Sequence, residues 1–146
     1  MKKSYPQLIW TVFVLIAVLG VLVYGAYKRE LEEDESLALE GTRGDLFTTI
    51  DYQAHDVQAP LFFGLLNEWE QMMGRTEIIL RMLSVLTSLI TLAFVYRTAQ
   101  DWFGKTQPWV GIAALAALGT SSYFFNEAIA IRPYPLMMLA LSLIHI

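Results

Sequence analysis

Between Leu8 and Tyr24 only one polar side chain, Thr11, interrupts an otherwise apolar run. Continued outward over residues 7–27, this stretch suits a helix crossing a hydrocarbon layer about 30 Å thick, where backbone amides must find partners inside their own segment. It commits the chain to a bilayer. The remainder agrees: 55% of the residues are hydrophobic and the mean hydropathy is +0.46, more than a soluble domain usually carries. A cleaved leader is the competing reading, since Val23-Tyr24-Gly25 offers small residues near a cut. The apolar stretch exceeds the about 7–15 residues of a leader core, so an uncleaved anchor is expected. Lys2 and Lys3 precede it and hold the amino terminus on the cytoplasmic side.

Two further spans are expected over residues 77–96 and 108–125, and a fourth begins near Pro135 and reaches Ile146. About a dozen residues cannot cross a bilayer. Residues 1–146 therefore read as the front part of a longer, all-α, polytopic membrane domain. Arg97 and Lys105 join Lys2 and Lys3 inside, which places the loop 28–76 outside. That loop holds eleven Asp and Glu against Lys28, Arg29, Arg43 and Arg75, so the net charge of −4 is concentrated there. An acidic outer loop repels nucleic acid, which is excluded as a partner. With no cysteine, the chain offers neither a disulfide framework nor a thiolate metal site.

Inside the loop the pattern is helical. Asp34 can cap a short helix through Ser36-Leu37-Ala38-Leu39-Glu40 that exits at Gly41, and Gly44-Asp45 starts a second one through Ile50. Pro60 stands where a first helical residue belongs. Phe62, Leu65, Leu66, Trp69, Met72 and Met73 then recur at spacings of three and four, with Asn67, Glu68, Glu70 and Gln71 on the opposite face. Such a helix lies on the membrane surface or packs beneath a cavity. Trp10, Trp69, Trp102 and Trp109 fall near expected interfaces, as belt anchors do. Asp51 and His55 have the i, i+4 spacing of two metal ligands on a helix, but one histidine among scattered carboxylates, Asp56 included, is a weak signal and the plainer reading is preferred.

The order of several short motifs carries more than any one of them. Asp34-Glu35 follows the first span; Gln58-Ala59-Pro60-Leu61-Phe62-Phe63 comes next; Met73-Gly74-Arg75-Thr76-Glu77 and Leu80-Arg81-Met82-Leu83-Ser84 stand at the second span; Glu127 and Arg132-Pro133-Tyr134 close the third. In this order the chain resembles the broad bacterial group of protein O-mannosyltransferase and aminoarabinose transferase-like membrane glycosyltransferases, whose architecture is called GT-C. The group's usual His-Pro-Pro-Leu is matched only in part, with Gln58 and Ala59 in place of His and the first Pro. The resemblance implies a multi-pass protein of the plasma (inner) membrane with juxtamembrane helices in its first outer loop. It also implies transfer of a sugar from a polyprenyl-phosphate donor to an acceptor hydroxyl on the outer face, with inversion. The acceptor, whether lipid, glycan or protein, is left open.

By this resemblance Asp34 is the catalytic base, with Glu35, Glu127, Arg132 and Tyr134 contacting substrate. Carboxylates as a class are ionised at neutral pH and can take the proton of an acceptor hydroxyl. A phosphate leaving group is already an anion and calls for a guanidinium such as Arg132, not for an acid. Neighbours on a helix point about 100° apart, so Asp34 and Glu35 cannot face each other as an acid and base pair. No metal ligand set or cofactor is assigned, and a divalent cation at Asp34 or Glu35 is left open. Each residue has a plainer reading. Asp34 can serve as a helix cap, Arg132 can snorkel to the interface, and Arg81 can pair with Glu77 on its own helix. The alternative for the whole chain is a small non-catalytic multi-pass membrane protein whose acidic outer loop binds a partner.

Overall fold

The computed structural model describes residues 5–55 and 59–144, and every element within them is a helix. Lys2, Lys3, Asp56, Gln58 and Ile146, each used in the sequence analysis, lie outside the described residues. In chain order the elements are α1 (Tyr5–Lys28), α2 (Glu33–Glu40), α3 (Leu46–His55), α4 (Pro60–Met73), α5 (Glu77–Phe103), α6 (Val110–Gly119), α7 (Ser122–Ala128) and α8 (Tyr134–Ile144).

Two helices, α1 and α5, are long and apolar enough to cross a membrane. Their 24 and 27 residues reach about 36 and 40 Å at about 1.5 Å per residue. They present themselves differently. Most of α1 is bare, with Ile9, Phe13, Ile16 and Tyr24 more than half exposed, an apolar surface that calls for lipid or further protein. Nearly half of the α5 apolar window is buried, because α1, α4, α6, α7 and α8 all pack against it. Ser84, Ser88 and Thr91 fall on one buried face of α5, and their small side chains let neighbouring helices approach closely.

The expected third span is not continuous. Residues 108–125 divide into α6 and α7 at Thr120 and Ser121, and α6 alone, with 10 residues, measures about 15 Å. Thr120 turns its hydroxyl back onto the Ala116 carbonyl at 2.8 Å and closes α6, while extended Ser121 (ψ 126°) opens α7. Composition alone cannot see this break, since mean hydropathy averages over it. The helix of the second span runs past residue 96 to Phe103, and Arg97 and Asp101 pair along its exposed surface at 2.7 Å.

Two apolar clusters divide the molecule. One joins Leu22 and Ala26 of α1, Val85 and Leu92 of α5, Leu115 of α6 and Phe124 of α7. At its edge a Cβ on Gly25 would overlap the Phe125 ring, so α1 and α7 meet through a glycine. The other cluster is built from Leu39 of α2, Phe62, Phe63 and Leu66 of α4, Leu80 of α5 and Ile131. It lies beneath the helices of the first loop and carries them on the end of the bundle.

Those loop helices start largely where their local chemistry dictates. Pro60 is the first residue of α4. Asp45 precedes α3, and its Oδ1 accepts the Thr48 backbone N–H at 2.8 Å. The expected cap at Asp34 is corrected: Glu32 is the N-cap of α2 and Asp34 sits inside the first turn. Glu35 reaches back to the Glu32 backbone N–H at 3.3 Å, which favours Glu32 as the boundary. A second correction concerns Asn67. Placed on the polar face of α4, it is 2% exposed, because its amide donates to the carbonyls of Thr42 and Gly44, both at 2.9 Å. The turn between α2 and α3 needs a donor there, and Asn67 supplies it.

Candidate functional site

The end of the bundle where α1 finishes and α5 begins gathers most of the charged residues singled out in the sequence. Glu35 and Asp34 are neighbours in the first turns of α2, and the helix sends them to opposite environments. The Glu35 side chain is 0% exposed and that of Asp34 85%. The angular separation of adjacent helical positions requires such a split when one face of α2 rests on the bundle.

Glu35, expected to face a substrate, is committed to internal partners. Its Oε2 lies 3.2 Å from Arg81 Nη2, and its Oε1 accepts the backbone N–H of Ile131, 96 positions away, at 2.9 Å. Arg81 is 1% exposed and also closes the end of α1. Nη1 donates to the carbonyls of Ala26 and Arg29 at 3.2 and 2.7 Å, and Nη2 to that of Glu30 at 3.0 Å. The last carbonyls of a helix have no partner within it, and a guanidinium with five donors in a fixed fork can serve several at once. One buried ion pair thus ties together α1, α2, α5 and the segment between α7 and α8. Glu77, at 3.8 Å, is a secondary partner of Arg81.

Above the buried pair a second, more open tier alternates in sign. Arg29 pairs with Glu32 and donates to the Asn126 carbonyl at 3.1 Å. Glu32 accepts from Arg132 at 2.9 Å. Arg132 also stands 3.8 Å from the Asp34 carboxylate. Asp34 and Arg132, singled out from different ends of the chain, are therefore brought side by side on the rim. Tyr134 opens α8 and is 42% exposed. Glu127 lies half-buried at the end of α7, with its Oε2 enclosed and without a hydrogen-bond partner among the described residues.

The rim has a defined chemical capacity. Asp34 offers an accessible carboxylate within reach of one guanidinium, a pair able to take a proton and steady an anion at adjacent points. Among the described residues no three His, Asp or Glu side chains group as a metal-binding set. His55 is 80% exposed and turns Nδ1 onto the Asp51 carbonyl of its own helix at 2.8 Å.

Two partnerships escaped the sequence. Arg81 lies one turn inside an apolar helix, a position that demands a carboxylate, but Glu77 was the near candidate and Glu35 the true one, 46 positions away. The Asn67 hub had no local signal at all. Compared with known protein families, curated proteins and solved structures, the chain matches none.

Proposed function

We propose that this chain forms the N-terminal part of a membrane glycosyltransferase that moves a sugar from a polyprenyl-phosphate donor to an acceptor hydroxyl at the outer face of the plasma membrane. The observation that supports it is the meeting of Asp34 and Arg132, 3.8 Å apart across 98 positions of sequence, at the end of the two long apolar helices. A donor held by its prenyl chain along the bundle presents its phosphate at that level. Arg132 would bind the phosphate and stabilise it as it leaves, while the Asp34 carboxylate takes the proton of the attacking hydroxyl. Glu35, held by Arg81, positions the turn that carries Asp34. The open setting of Asp34 lets an acceptor approach without displacing any described side chain.

A second reading draws on the same exposure. A carboxylate 85% open to solvent on a loop of eleven acidic residues also suits a non-catalytic membrane protein that binds a basic partner through this rim. One substitution separates the two. In the full-length membrane-embedded protein, Asp34→Asn should lower sugar transfer by about 10²–10⁴-fold, the usual contribution of a general base, with insertion and expression unchanged. Undiminished donor consumption by that variant removes Asp34 from the chemistry and leaves the partner-binding reading.

A further inference from the structure

A cavity of about 330 Å³ opens between α2, the turn after it and the start of α5. Its walls are of two kinds. Arg43, Arg75, Glu40 and Glu77 supply two positive and two negative charges, and Leu31 and Leu80 belong to its apolar lining. Its level in the bilayer follows from the long helices: α1 ends at Lys28 and α5 begins at Glu77, and Arg81 ties those ends together through the Ala26 and Arg29 carbonyls. On the membrane reading the cavity therefore stands at the headgroup layer, beside the two long helices.

We propose that this cavity binds the headgroup of a phospholipid carrying both a phosphodiester and a primary ammonium. The four charged groups sum to neutral, with Glu77 also 3.8 Å from Arg81, and a zwitterion complements such a lining where a purely anionic headgroup does not. Arg75 is already held in place, donating to the Leu39 carbonyl at 2.8 Å and pairing with Glu70 at 2.8 Å. Arg43 is exposed and makes no ion pair among the described residues, and the same holds for Glu40. Arg43 and Arg75 donate to the phosphodiester oxygens. Glu40 and Glu77 accept from the ammonium, which needs N–H groups that a trimethylated headgroup lacks. Leu31 and Leu37, the latter 58% exposed, meet the first methylenes of the acyl chains.

This inference rests on the membrane reading and not on Asp34. The test is a lipid titration of the full chain in detergent micelles, read by native mass spectrometry, with phosphatidylethanolamine, phosphatidylcholine and phosphatidylglycerol of identical acyl chains. Phosphatidylethanolamine should bind about tenfold or more tighter than either of the others, as the loss of one or two charge-assisted hydrogen bonds requires. Glu40→Gln/Glu77→Gln should bring it down to the phosphatidylcholine level. Arg43→Ala should weaken it about tenfold, while Arg43→Lys keeps most of the binding. Soluble glycerophosphoethanolamine, without acyl chains, should compete poorly, which separates a lipid site from a site for the free headgroup. Equal binding of the three lipids, or an Arg43→Ala variant that binds as the parent does, overturns the proposal. Asp34→Asn should leave the lipid preference untouched, so this test and that of the transfer reaction fail independently.

Discussion

Removing Arg81 should cost more than any surface change in this protein, and the cost should depend on Glu35. In the parent, Arg81 Nη2 lies 3.2 Å from a carboxylate with no exposed side-chain surface. Arg81→Met keeps the length and apolar stem of the side chain and deletes the charge. It leaves the Glu35 carboxyl in the interior with the backbone N–H groups of Ile131 and Glu32 and, at 4.0 Å, the Arg29 guanidinium. It also strips the carbonyls of Ala26, Arg29 and Glu30 of their donor. Breaking a buried pair on one side costs about 3–5 kcal/mol. In a Glu35→Gln background no charge is stranded, and Arg81→Met should cost only the carbonyl bonds, about 1–2 kcal/mol in total. The coupling between the two sites is then about 2 kcal/mol, well above the few tenths seen for independent positions. Reversible unfolding in mixed micelles, followed by far-ultraviolet circular dichroism for the parent, both single variants and the double variant, measures it. An Arg81→Met cost that is the same in both backgrounds would refute the pairing of Arg81 with Glu35 as the clasp of this fold.

Asn67→Ala should destabilise the first loop by about 1–2 kcal/mol, since the buried Thr42 carbonyl and the part-buried Gly44 carbonyl lose their donor; hydrogen exchange should speed up over residues 41–49 while the core of α5 stays protected. Asp45 should make the start of α3 acid-sensitive. Its hydrogen bonds with Thr48, from the side chain first and the backbone second, hold its carboxyl below the ordinary aspartate range. A lowered folded value means the stabilisation is complete above the unfolded value, about 4, and is lost as pH falls through the folded one. Amide exchange at Thr48 should therefore rise below about pH 4, and Asp45→Asn, whose amide oxygen can still accept that N–H, should abolish the pH dependence.

What the chain could settle alone was whatever depends on neighbours in sequence. Thr11 as the lone polar side chain in the first apolar run, Pro60 at the start of α4, Gly41 closing α2 and Asp45 opening α3 were each legible, because turns, caps and apolar runs act over a few residues. That Asp34 and Glu35 point in different directions was legible in the same way, from the helical angle between adjacent positions, although both were expected at the substrate. Which of the two would face inward was not, since that depends on the surface α2 rests upon. The break at Thr120 was hidden, because apolar composition persists on both sides of a turn that local hydrogen bonds decide. The partners of Arg81 and Asn67 belong to the tertiary structure alone. A buried guanidinium or amide must be satisfied by something, so the need was visible in advance, but any of several carboxylates or carbonyls could meet it. Packing chose Glu35, Ile131 and the Thr42–Gly44 turn, and with that choice brought Asp34 beside Arg132.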